Sequence, residues 1–214
     1  EKERSVGLGV MGFHSYLQKH SIPLESVMSK AWNKKIFKHI QEHVDQASKD
    51  LADERGACPD AADYGYNERF SNKTAIAPTA SISIICGGAS PGVEPVAANS
   101  YTHKTLSGSF NVRNRYLVEL LEKHGKNTDD VWSGITTNQG SVSHLDFLTD
   151  LEKDVFKTAF ELDQKWIIEL SGDRTPYISQ AQSINLFVPA DIHKRELHKI
   201  HFDAWKKGLK SLYY

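Results

Sequence analysis

A long amphipathic stretch at residues 27–51 constrains the fold of this chain more than any other feature of its sequence. Apolar residues recur there at intervals of three and four, which is the period of an α-helix. The residues of this apolar stripe are Met28, Trp32, Ile36, Ile40, Val44, Ala47 and Leu51. Pro23 lies shortly before the stretch and Gly56 shortly after it, where helices commonly begin and end. The pattern therefore predicts one helix of about seven turns.

Weaker patterns predict further helices and one strand. Residues 56–74 are rich in Gly, Pro, Asp and Asn without any periodicity, which indicates a long loop. Helices are predicted at about 113–124, 151–171 and 191–208, and the alternation of apolar and polar residues from Ser183 to Val188 is typical of a strand. Because helices dominate over a few buried strands, the sequence predicts an α/β protein or part of one.

The bulk composition argues against several classes of protein. A formal net charge of −1 with ten histidines provides no basic excess that would favour nucleic acid or an anionic membrane as partner. No apolar run approaches the roughly 20 residues that span a bilayer, and no signal peptide is recognisable. Two cysteines, Cys58 and Cys86, are too few for a disulfide scaffold, so two free thiols are favoured over a bridge. We expect a cytoplasmic protein.

The segment VGLGVMG at residues 6–12 matches the dinucleotide-binding pattern G-x-G-x-x-G through Gly7, Gly9 and Gly12. That pattern works only after an apolar strand and before an acidic residue about 20 positions later. Residues 1–5, EKERS, form no such strand, and no second strand ending in an acid follows. The favoured interpretation is that these small residues lie on one side of a helix and allow a neighbour to pack closely.

A second motif, HIQEH at residues 39–43, matches the inverted zinc-protease signature H-x-x-E-H. On a helix His39 and His43 would share one face, one turn apart, as two zinc ligands do. No third ligand stands out downstream, and several lysines surround the motif. We therefore interpret it as a solvated helix face.

The segment APTASIS at residues 77–83 has the composition of a helix N-terminus. Pro78 would preset the first turn, and Thr79 or Ser81 could cap it. The free backbone N–H groups at such a position, together with the helix dipole, form a favourable site for a phosphate group. From the residues alone, a phosphate site and a capped helix without a ligand both remain open.

Four segments, taken in order, resemble one family of enzymes. They are RSVGLGVMGFHSYL at residues 4–17, IAPTASISIICGGASPGVEP at 76–95, QSINLFV at 182–188 and WKKGLKSLYY at 205–214. Their order and spacing are similar to those of the large, catalytic subunit of class I ribonucleoside-diphosphate reductase. The resemblance implies that residues 1–214 are the C-terminal portion of a ten-stranded, helix-rich α/β barrel. It also implies that the glycine-rich stretch begins an outer helix of the barrel and binds no dinucleotide.

The resemblance implies two groups of site residues. The loop that holds the substrate diphosphate falls on Pro78, Thr79, Ala80, Ser81 and Ile82. Its backbone N–H groups and the two hydroxyls would bind the phosphates, while an isoleucine at the last position could contribute only its N–H. The adjacent Tyr213 and Tyr214 match the pair that carries a radical inward from the small subunit.

The activity implied by the resemblance is the radical reduction of ribonucleoside diphosphates to 2′-deoxyribonucleoside diphosphates for DNA synthesis. The radical would come from a metal-containing small subunit, thioredoxin or glutaredoxin would act as reductant, and the large subunit would form a homodimer. This portion would bind no cofactor of its own. It contains no Asn-x-Cys-x-Glu loop with the radical cysteine, so we expect an inactive fragment of a longer enzyme. The alternative is a non-catalytic nucleotide-binding module, split or relic, that needs a complementary chain.

Overall fold

A computed structural model describes residues 1–106 and 108–213. The helices are α1 (Phe13–Lys19), α2 (Val27–Arg55), α3 (Pro59–Asp63), α4 (Ala80–Ile85), α5 (Arg115–Lys123), α6 (Asp129–Thr137), α7 (Asp150–Val155), α8 (Gln164–Arg174) and α9 (Lys194–Lys206), and a 3₁₀ turn covers Thr175–Tyr177. An antiparallel hairpin joins β1 (Ser100–Thr105) to β2 (Gly108–Arg113). The sequence analysis did not predict this hairpin, the short helix α3 within the expected loop, or α6.

The long helix α2 confirms the strongest prediction from the sequence. The Ser26 hydroxyl caps its start by accepting a hydrogen bond from the Ser29 backbone N–H at 3.1 Å, and Gly56 ends it with a φ of 78°. The apolar stripe, however, is not the most buried face of the helix. The fully buried positions of α2 are Ser29, Asn33, Phe37, Ser48 and Ala52, one position further along than the apolar stripe. Small and polar residues on that face allow α2 to approach α8 closely.

Four extended segments lie side by side and form the layer from which the site is built. We call them the first (residues 5–9), second (72–77), third (180–185) and fourth (211–213) segments. Leu8 pairs with Thr74 and Ile76 pairs with Gln182, both in parallel. The backbone N–H of Tyr213 then donates to the Ile184 carbonyl oxygen at 2.9 Å. The strand predicted over Ser183–Val188 was wrong, since no regular strand forms in that range. Only its first two residues join the layer, where the Ser183 N–H donates to the Ile76 carbonyl oxygen at 2.9 Å and Ile184 accepts from Tyr213.

The glycines of the G-x-G-x-x-G pattern lie in and just after the first segment, so their predicted placement on a helix was wrong. A Cβ on Gly9 would lie 2.6 Å from the Ala75 carbonyl oxygen, whereas one on Gly7 would meet the Ala75 Cβ at an ordinary 3.5 Å. Gly12 takes a φ of 82° and leads into α1. The expected close packing is therefore present, but between two extended segments.

The helices predicted at 113–124 and 191–208 are confirmed as α5 and α9, while the one predicted at 151–171 was wrong. Two helices, α7 and α8, occupy that stretch. The turn between them is held by Glu161, whose carboxylate accepts from both the N–H and the hydroxyl of Thr158 at 2.8 and 2.9 Å. Asp163 then caps α8 by accepting from the Lys165 N–H. Local side-chain bonds to the backbone thus interrupt the helical periodicity.

Two clusters of buried apolar residues form the core. One cluster joins α1, α2 and α8 to the second and third segments and includes Phe13, Leu17, Phe37, Ile76, Leu170 and Ile184. The other joins α5, α6 and α7 and includes Leu117, Leu121, Trp132, Ile135, Val155 and Phe156. The first cluster underlies the parallel layer and therefore fixes the position of the loops that leave it.

A buried arginine ties the helical layer to the third segment. The Arg174 guanidinium is 1% exposed and donates to the Gln182 Oε1, the Asn33 Oδ1 and the Ser171 hydroxyl at 2.8 to 3.0 Å. It also lies 5.6 Å from the ring centre of Phe13. Burial lowers the pKa of this guanidinium below its ordinary value. Its hydrogen-bond partners are neutral, and the charge is further stabilised by the aromatic contact and by attraction to the nearby Asp173 carboxylate.

Candidate functional site

The loop Pro78–Ile82 leaves the second segment immediately after the pairing of Ile76 with Gln182. In α/β proteins, the loops that follow parallel strands commonly form the binding sites. Ala80, Ser81 and Ile82 begin α4, and all three are exposed. Since the first N–H groups of a helix have no acceptor within the helix, this edge of the layer presents backbone donors to the outside.

Thr79 has an unusual backbone conformation for a β-branched residue. Its φ of 51° and ψ of 27° place it in the left-handed region, where such residues are rare and often belong to functional sites. The sequence predicted that its hydroxyl could cap α4, and that detail was wrong. The hydroxyl oxygen instead accepts a hydrogen bond from the Gly92 backbone N–H at 2.7 Å. Its own hydrogen can still be donated to a ligand.

The turn at residues 91–94, closed by a bond from the Glu94 N–H to the Pro91 carbonyl oxygen at 2.9 Å, crosses close over this loop. Gly92 has a φ of 49°, and a Cβ there would lie 2.8 Å from the Ala77 carbonyl oxygen. The residue before this turn is bonded to the start of α1, where Gly12 N–H donates to the Ser90 carbonyl oxygen at 2.9 Å. The loop, the turn and α1 therefore form one hydrogen-bonded unit.

The sequence analysis missed one polar pair beside this unit. The Glu94 carboxylate is buried and accepts from both the backbone N–H and the side-chain amide of Asn185, at 2.9 and 3.0 Å. A signal for it was present in the sequence, since Glu94 is the single charged residue between Ile76 and Ala98. It connects the turn above the loop to the third segment.

Tyr213 lies on the fourth segment, with its side chain 56% exposed. Tyr214 lies outside the described residues. The backbone bond from Tyr213 to Ile184 places the fourth segment against the third, which in turn pairs with the second, from which the Pro78–Ile82 loop departs. Tyr213 and the Pro78–Ile82 loop therefore belong to one layer, with the third segment between them.

The remaining candidate motifs lie away from this layer. His39 and His43 are exposed on α2, with their ring centres 4.2 Å apart. Across residues 1–106 and 108–213, no group of three His, Cys, Asp or Glu side chains is arranged to hold a metal ion. Cys58 is buried, Cys86 is exposed, and both thiols are free. In the same described ranges, no helix combines the length and apolar character that crossing a membrane requires.

Comparison with known proteins gives consistent matches along the chain. The sequence profile described as "Ribonucleotide reductase, barrel domain" matches residues 1–68 and 60–214. The ribonucleoside-diphosphate reductase large subunit of Invertebrate iridescent virus 6 is 50% identical over 100% of this chain and 22% of its own length. That of Invertebrate iridescent virus 3 is 46% identical over 99% of this chain and 34% of its own length.

A solved structure gives the same result. The class Id ribonucleotide reductase alpha subunit of Actinobacillus ureae has a TM-score of 0.92 and 40% identity, and the match covers 100% of this chain and 39% of that one. The chain thus spans only about a fifth to two fifths of the length of these three proteins. These matches support a portion of a large subunit and do not favour the alternative of an independent module. The chain, with its α/β barrel-type fold, belongs to the ribonucleotide reductase barrel-domain family.

Proposed function

We propose that this chain is a portion of a ribonucleoside-diphosphate reductase large subunit, which reduces ribonucleoside diphosphates to 2′-deoxyribonucleoside diphosphates by radical chemistry. The observation that carries the proposal is the whole-chain match at 40% identity and a TM-score of 0.92 to a ribonucleotide reductase alpha subunit. The loop Pro78–Ile82, whose last three residues are exposed, leaves the layer that also carries Tyr213 and supports the proposal further.

The proposed role of the Pro78–Ile82 loop is to bind the diphosphate of the substrate. Backbone N–H groups at the start of α4 would donate to the phosphate oxygens, and the hydroxyls of Thr79 and Ser81 would add two further donors. Ile82 would contribute its N–H alone. The bond from Gly92 to Thr79 supports this role, because it fixes the loop in the left-handed conformation before a ligand arrives.

The proposed role of Tyr213, together with Tyr214, is to pass a radical toward the substrate. A phenol can be oxidised by losing one electron and one proton, and it is regenerated when both return. The radical would originate in a metal-containing small subunit, which is the proposed partner chain. Thioredoxin or glutaredoxin would supply reducing equivalents to the complete enzyme, a homodimer of large subunits in the cytoplasm. The two free thiols fit such a reducing compartment.

The radical role is tested in the full-length large subunit that contains this chain, assayed with its small subunit and CDP. Tyr213→Phe should abolish turnover and leave the Kd for CDP unchanged, because phenylalanine keeps the ring but cannot lose the phenolic proton. Tyr64→Phe is the matched control, since Tyr64 is 82% exposed and lies outside the four segments. Normal turnover in Tyr213→Phe would refute the radical assignment.

The phosphate role is tested by comparing two changes at one position. Ser81→Pro removes the backbone N–H at the second position of α4, where proline is tolerated in a helix. Loss of one charge-assisted hydrogen bond of roughly 1.5 kcal/mol should weaken CDP binding about tenfold. Ser81→Ala retains the N–H and should weaken binding less. Equal affinities in the two variants would contradict a backbone phosphate site.

A further inference from the structure

The Glu94 carboxylate is a buried charge whose hydrogen-bond donors are both neutral groups of a single residue. It is 5% exposed, and its two oxygens accept from the backbone N–H and the side-chain amide of Asn185 at 2.9 and 3.0 Å. Burial raises the pKa of this carboxyl above its ordinary value, and the two bonds from Asn185 offset part of that effect. Burying a charge without a neighbouring cation raises the free energy of the folded state. The presence of a carboxylate at this position therefore indicates a role other than packing.

The residue held by Glu94 lies next to the attachment point of the fourth segment. The carbonyl oxygen of Ile184, immediately before Asn185, accepts the hydrogen bond from the Tyr213 N–H at 2.9 Å. Two bonds to one residue fix both its position and its orientation. Because bonds to a charged acceptor are roughly twice as strong as neutral ones, Glu94 restrains the backbone to which the Tyr213 N–H is hydrogen-bonded.

Glu94 also belongs to the turn at residues 91–94, which supports the proposed phosphate loop. Two residues earlier, the Gly92 N–H donates to the Thr79 hydroxyl at 2.7 Å, and the Gly92 carbonyl accepts from Phe13 N–H at 3.3 Å. Ser90 and Ser15 exchange reciprocal bonds between backbone N–H and hydroxyl groups at 2.8 and 3.1 Å. The turn is therefore anchored to α1 independently of Asn185, and Glu94 connects an anchored unit to the third segment.

We infer that Glu94 is a positioning residue that holds the Tyr213 segment at a fixed distance from the substrate-phosphate loop. The inference rests on the proposed function, because it assigns a purpose to the separation of those two elements. Radical transfer proceeds in short steps, and a displacement of about 1 Å at a reacting group can lower a rate about 100-fold. A carboxylate that holds one residue by two bonds limits such displacement better than an apolar contact would.

The test uses the full-length large subunit with its small subunit and CDP. Glu94→Ala should lower kcat about 10- to 100-fold. The Kd for CDP should stay within about twofold, since the phosphate loop remains anchored to α1. Glu25→Ala is the matched control, because Glu25 also accepts two hydrogen bonds, from the Asp163 N–H at 2.6 Å and the Lys157 ammonium at 2.9 Å, and lies outside the site. It should leave kcat unchanged.

If Glu94→Ala fails to fold, variants that exchange the charge between Glu94 and Asn185 provide a second test of the inference. Asn185→Asp would place two carboxylates face to face and should lower kcat as Glu94→Ala does. Adding Glu94→Gln should restore most of the rate, because the glutamine amide can then donate to the aspartate while its oxygen accepts the backbone N–H. A double variant no faster than Asn185→Asp alone would overturn the inference.

The remaining outcomes separate this inference from the proposed function. An unchanged kcat in Glu94→Ala, while Tyr213→Phe is inactive, would overturn the positioning role and leave the proposed function standing. A rise in the Kd for CDP as large as the fall in kcat would also overturn it, because Glu94 would then shape the phosphate loop instead. Turnover by Tyr213→Phe at the normal rate would remove the radical role of Tyr213 and this inference together, whereas the reductase activity of the large subunit would stand.

Discussion

The buried histidine of α1 should make the stability of the protein fall steeply in mild acid. His14 is 1% exposed, and its Nδ1 accepts a hydrogen bond from the Val96 backbone N–H at 3.1 Å. An accepting Nδ1 requires the neutral ring with its proton on Nε2. Burial lowers the pKa of His14 from 6.5 to about 4. The ring therefore stays neutral in the folded protein over a range of pH in which the unfolded chain binds a proton.

The sign and size of the effect follow from linkage between protonation and folding. Above pH 6.5 the ring is neutral in both states, and the free energy of unfolding does not depend on it. As the pH falls from 6.5 toward about 4, only the unfolded chain gains the proton, so stability is lost. At about 1.4 kcal/mol for each pH unit, the loss across this window is roughly 3 kcal/mol.

Urea unfolding followed by tryptophan fluorescence, repeated from above pH 6.5 down to about 4, measures the effect. His14→Asn keeps an acceptor near the Val96 N–H but cannot titrate. The wild type should lose roughly 3 kcal/mol more than this variant across the window. His43→Asn, at an exposed position, should follow the wild type. The raised pKa of Glu94 has the opposite sign, stabilising the fold as pH falls, and is common to every variant. Parallel pH profiles for wild type and His14→Asn would refute the reasoning.

Two further predictions concern packing. Gly9→Ala should destabilise the protein by about 2 kcal/mol, because the new Cβ would lie 2.6 Å from the Ala75 carbonyl oxygen. Gly7→Ala is the control and should be nearly neutral. Equal melting temperatures for the two variants would contradict the pairing of the first and second segments. Arg174→Met should cost about 3 kcal/mol in urea unfolding, because the side-chain oxygens of Asn33 and Gln182 lose their buried donor. A loss below about 1 kcal/mol would mean that the desolvation free energy of the guanidinium nearly cancels the stabilisation from its hydrogen bonds.

Periodicity was sufficient to predict where helices lie but not which side of α2 is buried. The apolar stripe through Trp32 and Ile36 is the obvious candidate, yet Asn33 lies against α8, where it donates to the Leu170 carbonyl oxygen at 2.8 Å and accepts from Arg174. Those partners are far away in the sequence. A pattern read within one helix cannot anticipate them, because the burial of a polar residue depends on donors and acceptors supplied by other elements.

The start of the Pro78–Ile82 loop was predictable from its residues, whereas its geometry was not. Pro78 and the small residues after it are sufficient to predict the beginning of a helix. The left-handed backbone of Thr79, by contrast, depends on a bond from Gly92, 13 residues later. The hairpin β1–β2 was missed because β2 is exposed along nearly its whole length and therefore carries little alternation of apolar and polar residues.

The parallel pairing beneath the loop has a consequence for how the protein is made. Leu8 must find Thr74, and Ile76 must find Gln182, so the contacts that shape this layer join residues that are distant along the chain. Contacts of this kind raise contact order and slow folding, because the intervening chain must be closed before they form. During synthesis the second segment has no partner on one side until Gln182 has left the ribosome. The Pro78–Ile82 loop is therefore expected to be among the last parts of the chain to reach its final geometry.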